Sequence, residues 1–324
     1  MTLNIKIPDI SKQIYKKDVH QILQSNFNEI VKFWWIHQLG WINSAYLTFK
    51  DHEKFLIAIY LQKKTLEFYS RHFVKISYDD FYAKTSLEIE KFNIVEIAKD
   101  LELPKETARR KILELEKIGF IRRQKKKIIL DRSVFPSIKP NNSTKRMAEF
   151  LSKFSKILKK YSILNNYLDS EDLLKYIHKN FSYCWKLFYD LQLPIIMNWK
   201  KHFKEIECWH IWGLCILNKS YNPKFQSIEN SGIEFIEHLV LKKESLGLNA
   251  MTISDMTGIP RATVVRKLKI LLDKNYLKID EKKHYHPSND NFKTIQITNR
   301  ENINNLAKFT TDIFNQYLGH ELRK

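Results

Sequence analysis

The chain has 324 residues, of which 44% are hydrophobic and 28% charged, and its formal net charge is +19. That length holds two domains with sizeable cores, and so few Gly (seven) and Pro (eight) argue against an all-β protein. The charge points to a polyanionic partner, most simply nucleic acid, and the longest apolar run, residues 211–217, is far too short to cross a bilayer.

Taken in order, residues 1–18 read as an irregular basic arm. Residues 26–39 and 53–72 read as helices, with aliphatic and aromatic residues at helical spacing; Phe33, Trp34 and Trp35 make the first very apolar. A further helix is expected over 78–91. Residues 94–130 then carry a distinctive pattern. Ile97, Ala98 and Leu101 lie on one side of a short helix, Leu103 closes a tight turn, and Pro104 suits a first helical position. Ala108, Ile112 and Leu115 form the buried stripe of a second helix, and Gly119 supplies its left-handed stop. Phe120 and Ile121 start a strand, a basic turn follows (Arg122, Arg123, Lys125, Lys126 and Lys127), and residues 128–130 return. After a break at 136–142, Ser143 is placed to cap a helix running to about residue 164.

The second half retraces this plan. Residues 186–193 resemble 32–39, residues 205–217 take the place of 51–63, and a helix is expected over 231–243. Residues 250–278 overlay the first pattern without a gap at a shift of about 156. Ile97 meets Ile253, Pro104 meets Pro260, Thr107 meets Thr263, Arg110 meets Arg266, Lys111 meets Lys267, and Gly119 becomes Asn275. A second hairpin is expected to pair 277–280 with 293–298 across a long loop holding Lys282, Lys283, His284, Tyr285 and His286. Leu306, Ala307 and Phe309 echo Met147, Ala148 and Phe150, so a long helix follows each hairpin. Offsets elsewhere drift between 154 and 159. Two copies in one order mark an internal duplication. The expected fold is mainly α with small β-wings, two tandem winged helix-turn-helix domains: residues 1–140 (motif 92–132), a connecting helix 141–168, and 169–324 (motif 250–299).

The second helix of each motif carries the run Thr107-Ala108-Arg109-Arg110-Lys111-Ile112-Leu113-Glu114-Leu115 with Gly119-Phe120, and Thr263-Val264-Val265-Arg266-Lys267-Leu268-Lys269-Ile270-Leu271 with Asn275-Tyr276. This resembles the recognition helix of MarR-type winged-helix transcriptional regulators over about 40 residues per copy. The resemblance implies double-stranded DNA binding and transcriptional regulation. Members of that family are usually homodimers of a single unit, so the tandem arrangement implies that one chain supplies both halves of a pseudo-dimer. A homodimer beyond it stays open.

A helix fits the major groove and its early turns meet base edges. The residues expected to contact DNA are Lys105, Thr107, Arg109, Arg110 and Lys111 in the first copy and Arg261, Thr263, Val265, Arg266, Lys267 and Lys269 in the second. Arg122, Arg123, Lys125, Lys126 and Lys127, with Lys282 and Lys283, are expected to follow phosphates. Lysine abundance alone also follows from AT-rich coding and solvated faces. Arginine is more telling: of 11 in the chain, seven lie in the motif segments (Arg109, Arg110, Arg122, Arg123, Arg132, Arg261, Arg266).

His284 and His286 lack a third ligand and read as loop residues near phosphate, so no metal is expected. The three cysteines, Cys184, Cys208 and Cys215, have no CxxC spacing and read as buried thiols in a reducing compartment. The first residues lack the apolar core of a signal peptide, so a cytoplasmic location is expected. The aromatic clusters at 33–35 and at Trp209 and Trp212 read as packed core ahead of a ligand pocket, with a small-molecule effector left open. No phosphate loop, nucleophile motif or cofactor motif is present, so no enzyme is expected. Two alternatives stand: a plasmid-type replication initiator with two winged helices, and a protein-interaction scaffold without DNA.

Overall fold

A computed structural model describes residues 13–125, 127–135, 139–220, 247–288 and 290–321. The chain is mainly helical, with small antiparallel sheets. Its first half contains α1 (Lys16–Ser25), α2 (Phe27–Phe49), α3 (His52–Arg71), α4 (Tyr78–Ala83), β1 (Ser86–Ile89), α5 (Ile94–Asp100), α6 (Lys105–Lys117), β2 (Ile121–Gln124), β3 (Lys127–Asp131) and α7 (Asn141–Lys160). The second contains α8 (Ser170–Lys179), α9 (Phe181–Phe203), α10 (Ile206–Ser220), α11 (Ala250–Thr257), α12 (Arg261–Asp273), β4 (Leu277–Ile279), β5 (Tyr285–Pro287) and α13 (Phe292–Glu321).

The core sits where α2, α3, α9 and α10 meet. Helices α2 and α9 each have 23 residues, are buried on most of their circumference, and end on a left-handed lysine, Lys50 and Lys204. A helix apolar nearly all round must lie inside a bundle. Each crosses to the other half: α2 packs on α10, and α9 packs on α3. Where α2 and α9 meet, the Gln38 Nε2 donates to Gln192 Oε1 at 2.7 Å, a buried bond between residues 154 apart. The outer helices exchange in the same way, α7 packing on α2 and α8, α13 on α9 and α1. Phe150, Phe154, Phe181, Trp185, Phe188 and Phe314 are almost fully enclosed by these contacts. Burial of each stabilises by roughly 1.5–3 kcal/mol. Asn315 ties the ends of the described chain together, accepting from the Ile14 N–H at 2.8 Å and donating to its carbonyl at 2.9 Å.

Several expectations need correction. Of the expected basic arm, residues 1–12 lie outside the described residues, and α1 already begins at Lys16. The helix expected over 78–91 stops at Ala83, and Ser86–Ile89 is a strand. Leu87 and Ile89 are buried at a period of two and pair with Leu130 and Ile128 of β3. Ser143 does not cap α7; the helix starts two residues earlier, after Pro140, and Ser143 is buried within its first turn. That helix ends at Lys160, before the left-handed Ser162. The second hairpin does not use 293–298, which belong to α13. Ile295, Asn299 and Asn302 are buried at i, i+4 and i+7 while Ile297 is exposed, so helical burial prevails over the β-branched composition. The partner strand is instead β5, with Leu277 opposite Pro287 and Ile279 opposite Tyr285. The helix expected over 231–243 lies outside the described residues.

Candidate nucleic-acid interface

Two local units present basic helices to the outside. In the first, Asn93 caps α5 by accepting from the Val95 N–H, and the chain turns through left-handed Glu102 into α6. The Leu103 N–H donates back to the Ala98 carbonyl at 2.8 Å, closing the turn. Gly119, at φ +81°, ends α6 and releases the chain into β2. Strand order β1-β3-β2 places the two-helix unit between the edge strands in sequence.

The second unit repeats these devices. Asn249 caps α11 on the Thr252 N–H, Gly258 takes the turn at φ +69°, and Asn275, at φ +55°, ends α12. A single bridge from Leu248 to Tyr285 takes the place of β1, so the sheet is reduced but ordered alike. Both turns lean on the opposite half. The Lys200 ammonium of α9 donates to the Leu101 and Glu102 carbonyls at 2.8 and 2.9 Å. Leu47 of α2 lies so close to Gly258 that a Cβ there would meet it at 2.5 Å.

Position by position, α6 and α12 share one burial pattern from Lys105/Arg261 to Glu116/Leu272. Lys105, Arg109 and Arg110 are exposed in α6, as are Arg261, Val265, Arg266 and Lys269 in α12, with Thr107 and Thr263 half-buried. Arg109 and Arg110 are 61% and 65% exposed and reach only loosely to acids of their own helix, Glu106 at 3.7 Å and Glu114 at 3.9 Å. Lys105, Arg261, Arg266 and Lys269 have no ion pair among the described residues.

Two expected contacts are overturned. Lys111 and Lys267 are buried, not presented to a ligand. Lys111 pairs with Asp51, the N-cap of α3, and Lys267 pairs with Glu205, just before α10. Burial pulls the Lys267 ammonium below its ordinary value. Each lysine falls three residues after a core alanine or valine, on the stripe with Ile112/Leu115 or Leu268/Leu271, and so faces the bundle. The two acids that receive them were not among the residues singled out from the sequence. Arg132 is also removed from the surface set: it lies buried against the Phe81 and Tyr82 rings and donates to the Phe81 and Lys84 carbonyls.

The hairpin cations are exposed but partly neutralised. Arg122 pairs with buried Asp131, Arg123 with Glu116 at 2.8 Å, and Lys127 with Glu88 at 2.8 Å. Lys125 is exposed at the tip with φ +54°, and Lys126 lies outside the described residues. In the second hairpin Lys282 and Lys283 are exposed. His284 and His286 close on Asp280, at 3.6 and 3.0 Å, which locks the turn instead of facing outward. Their hydrogen bonds, His286 foremost, hold the Asp280 carboxyl down at about 2. Among the described residues no group of three His, Cys, Asp or Glu side chains is placed to hold a metal ion. Burial pushes the thiols of Cys184, Cys208 and Cys215 up to about 12, and all three are buried.

Two cavities flank the meeting of α2 and α9. The larger, of about 660 Å³, is lined among the described residues by Trp41, Ala45, Phe55, Ala58, Ser143 and Tyr189 together with Phe120 and Lys139. The smaller, of about 30 Å³, is lined by Ile195, Trp199, Trp209, Trp212, Asn302 and Trp35. These six stand opposite the first six at the offsets already noted in the sequence. Trp199 and Trp212 replace Ala45 and Ala58 and fill the space, leaving room for a water or two. Of the aromatic clusters expected as core, Trp34, Trp209 and Trp212 are buried, while Phe33 and Trp35 are half-buried against the core. The open cavity next to α3 was not foreseen, because the space arises where Ala45 and Ala58 stand in place of tryptophans.

No protein-family model matches the chain, and no curated protein or solved structure does so either. No helix among the described residues is long and apolar enough to cross a membrane.

Proposed function

We propose that the chain is a sequence-specific double-stranded DNA-binding protein, a transcriptional regulator built as a single-chain pseudo-dimer of two winged helix-turn-helix units related by internal duplication. One observation carries the reading. The helices α6 and α12 keep the same burial pattern and turn exposed Lys and Arg away from the bundle, where nothing among the described residues covers them. Exposed arginine on the early turns of a helix suits guanine edges and phosphates, and hairpin cations suit the flanking backbone. Because both turns rest on the opposite half's helix, through Lys200 and Leu47, the bundle fixes where the two helices point.

The 660 Å³ cavity supports an effector as a second partner, since it lies between the bundle and the first unit, touching Phe120 at the end of α6. Its size falls in the range of small-molecule sites, and its lining mixes aromatic side chains with polar ones such as Gln62, Lys139, Asn141 and Asn142. A molecule seated there would bear directly on how α6 is held.

A genome-wide occupancy map tests the proposal. Occupancy upstream of promoters is the expected result. Occupancy confined to iterated repeats at a replication origin would replace the regulator by a replication initiator. No enrichment of any duplex would leave the protein-scaffold reading in its place.

A further inference from the structure

The two basic helices are alike in placement and unlike in chemistry, and we infer that the chain reads a non-palindromic DNA site in a single orientation. The inference rests on the DNA-binding reading above and deepens it. Since α6 and α12 share one burial pattern, the same positions face outward in each, and their residues can be compared directly. Thr107 and Thr263, and Arg110 and Arg266, are common to both. Around them the sets diverge: Glu106 and Arg109 in α6 stand where α12 has Ala262 and Val265, and Leu113 stands where α12 has Lys269.

The differences fall on chemistry that distinguishes bases. Arg109, 61% exposed and only loosely held by Glu106 at 3.7 Å, offers a forked donor suited to the acceptor pair of guanine. The Glu106 carboxylate suits a cytosine amino group, from which it can accept. Val265, 47% exposed, offers only an apolar contact, suited to a thymine methyl. The first hairpin has strands of four and five residues with Lys125 at its tip; the second has two strands of three, with Lys282 and Lys283 in the turn. One half therefore demands a G·C pair where the other accepts an A·T pair, while the positions read by the shared Thr and Arg stay symmetric. A homodimer has no such polarity, because both its helices are the same sequence.

Selection of sites from random duplex, followed by affinity cleavage, tests this. An iron chelate is attached to a cysteine introduced by Lys125→Cys or by Lys283→Cys; the native cysteines are buried and stay unlabelled. The expected result is a consensus whose half-sites agree at the positions read by the shared Thr and Arg and differ at the others, with the Lys125→Cys chelate cutting one flank and the Lys283→Cys chelate the other. Combining Glu106→Ala with Arg109→Val should then remove about 5- to 150-fold of discrimination at the G·C position and bring the two half-sites together. A palindromic consensus, or cutting on both flanks from either label, overturns the inference while leaving DNA binding intact. Absence of duplex binding overturns the underlying reading and this inference with it.

Discussion

Replacing Lys111 by methionine separates a structural lysine from a DNA-contacting one. The side chain is 11% exposed and its ammonium meets the Asp51 carboxylate, with Glu53 and Glu114 each at 4.0 Å. Methionine keeps most of the packed stem and deletes the charge. Removing one partner of a fully buried pair costs about 3–5 kcal/mol. Here Asp51 is 21% exposed and still accepts from the Lys54 N–H at 2.9 Å, so water and the cap recover part of the loss. The remainder is close to one charge-assisted hydrogen bond, about 2 kcal/mol. Urea unfolding should show that loss as a lower midpoint, and a double-mutant cycle with Asp51→Asn should show the two changes to be coupled. Duplex binding should meanwhile keep its salt dependence, because no phosphate contact is removed. Arg110→Ala should do the reverse, leaving stability within about 0.5 kcal/mol and lowering the slope of log K against log salt by about 0.9. If Lys111→Met left stability unchanged and lowered the slope by about one, the placement of this lysine inside the bundle would be refuted.

Two further outcomes are expected. Burial, with Arg146 adding to it, holds the His37 imidazole down at about 3, against an ordinary 6.5. Between those values the unfolded chain takes a proton that the folded chain does not, so stability is full above about pH 6.5 and is lost as pH falls. At about 1.36 kcal/mol per unit the loss by pH 5 is about 2 kcal/mol. His210, lowered in the same direction by its burial, adds to the trend. His37→Phe should flatten that part of the profile in pH-dependent denaturation, and an unchanged slope would contradict the assignment. Ala58→Trp copies Trp212 into the open cavity, and should leave the helical content intact while abolishing any ligand-induced thermal shift and ligand control of DNA binding; a retained response would place the effector elsewhere.

Much of this architecture was legible in the sequence because its signals are local. Pro104 and Pro260 stand one position before the expected first helical residue, at the N-caps of the two basic helices, and Gly119 and Asn275 follow those helices in the left-handed region as expected. The stripe Ala108, Ile112 and Leu115 also faces the core as its spacing requires. What failed was decided by distant partners. Lys111 and Lys267 sit on that same stripe, but only the folded bundle brings Asp51 and Glu205 to meet them. Helical spacing from Ala108 and Val264 puts both lysines on the core side, amid exposed basic residues of the same helices. β1 was missed because its pairing partner lies beyond α5 and α6, 39 to 45 residues on. The second hairpin was misplaced because Ile295 and Ile297 suit a strand locally, whereas burial of Ile295, Asn299 and Asn302 against the bundle makes that segment helical. The exposed arginines of α6 and α12 were foreseen; the acids that partly neutralise the first hairpin, Glu88, Glu116 and Asp131, were not.

The most direct test of DNA recognition by paired basic helices is the salt dependence of duplex binding, measured by fluorescence anisotropy from 50 to 200 mM salt. Wild-type protein making about six phosphate contacts should lose roughly three orders of magnitude in affinity over that range. A variant with Arg109, Arg110, Arg261 and Arg266 all changed to alanine should show a markedly shallower slope with unchanged folding. Affinity that stays flat with salt, or a slope that survives loss of all four arginines, would contradict the account.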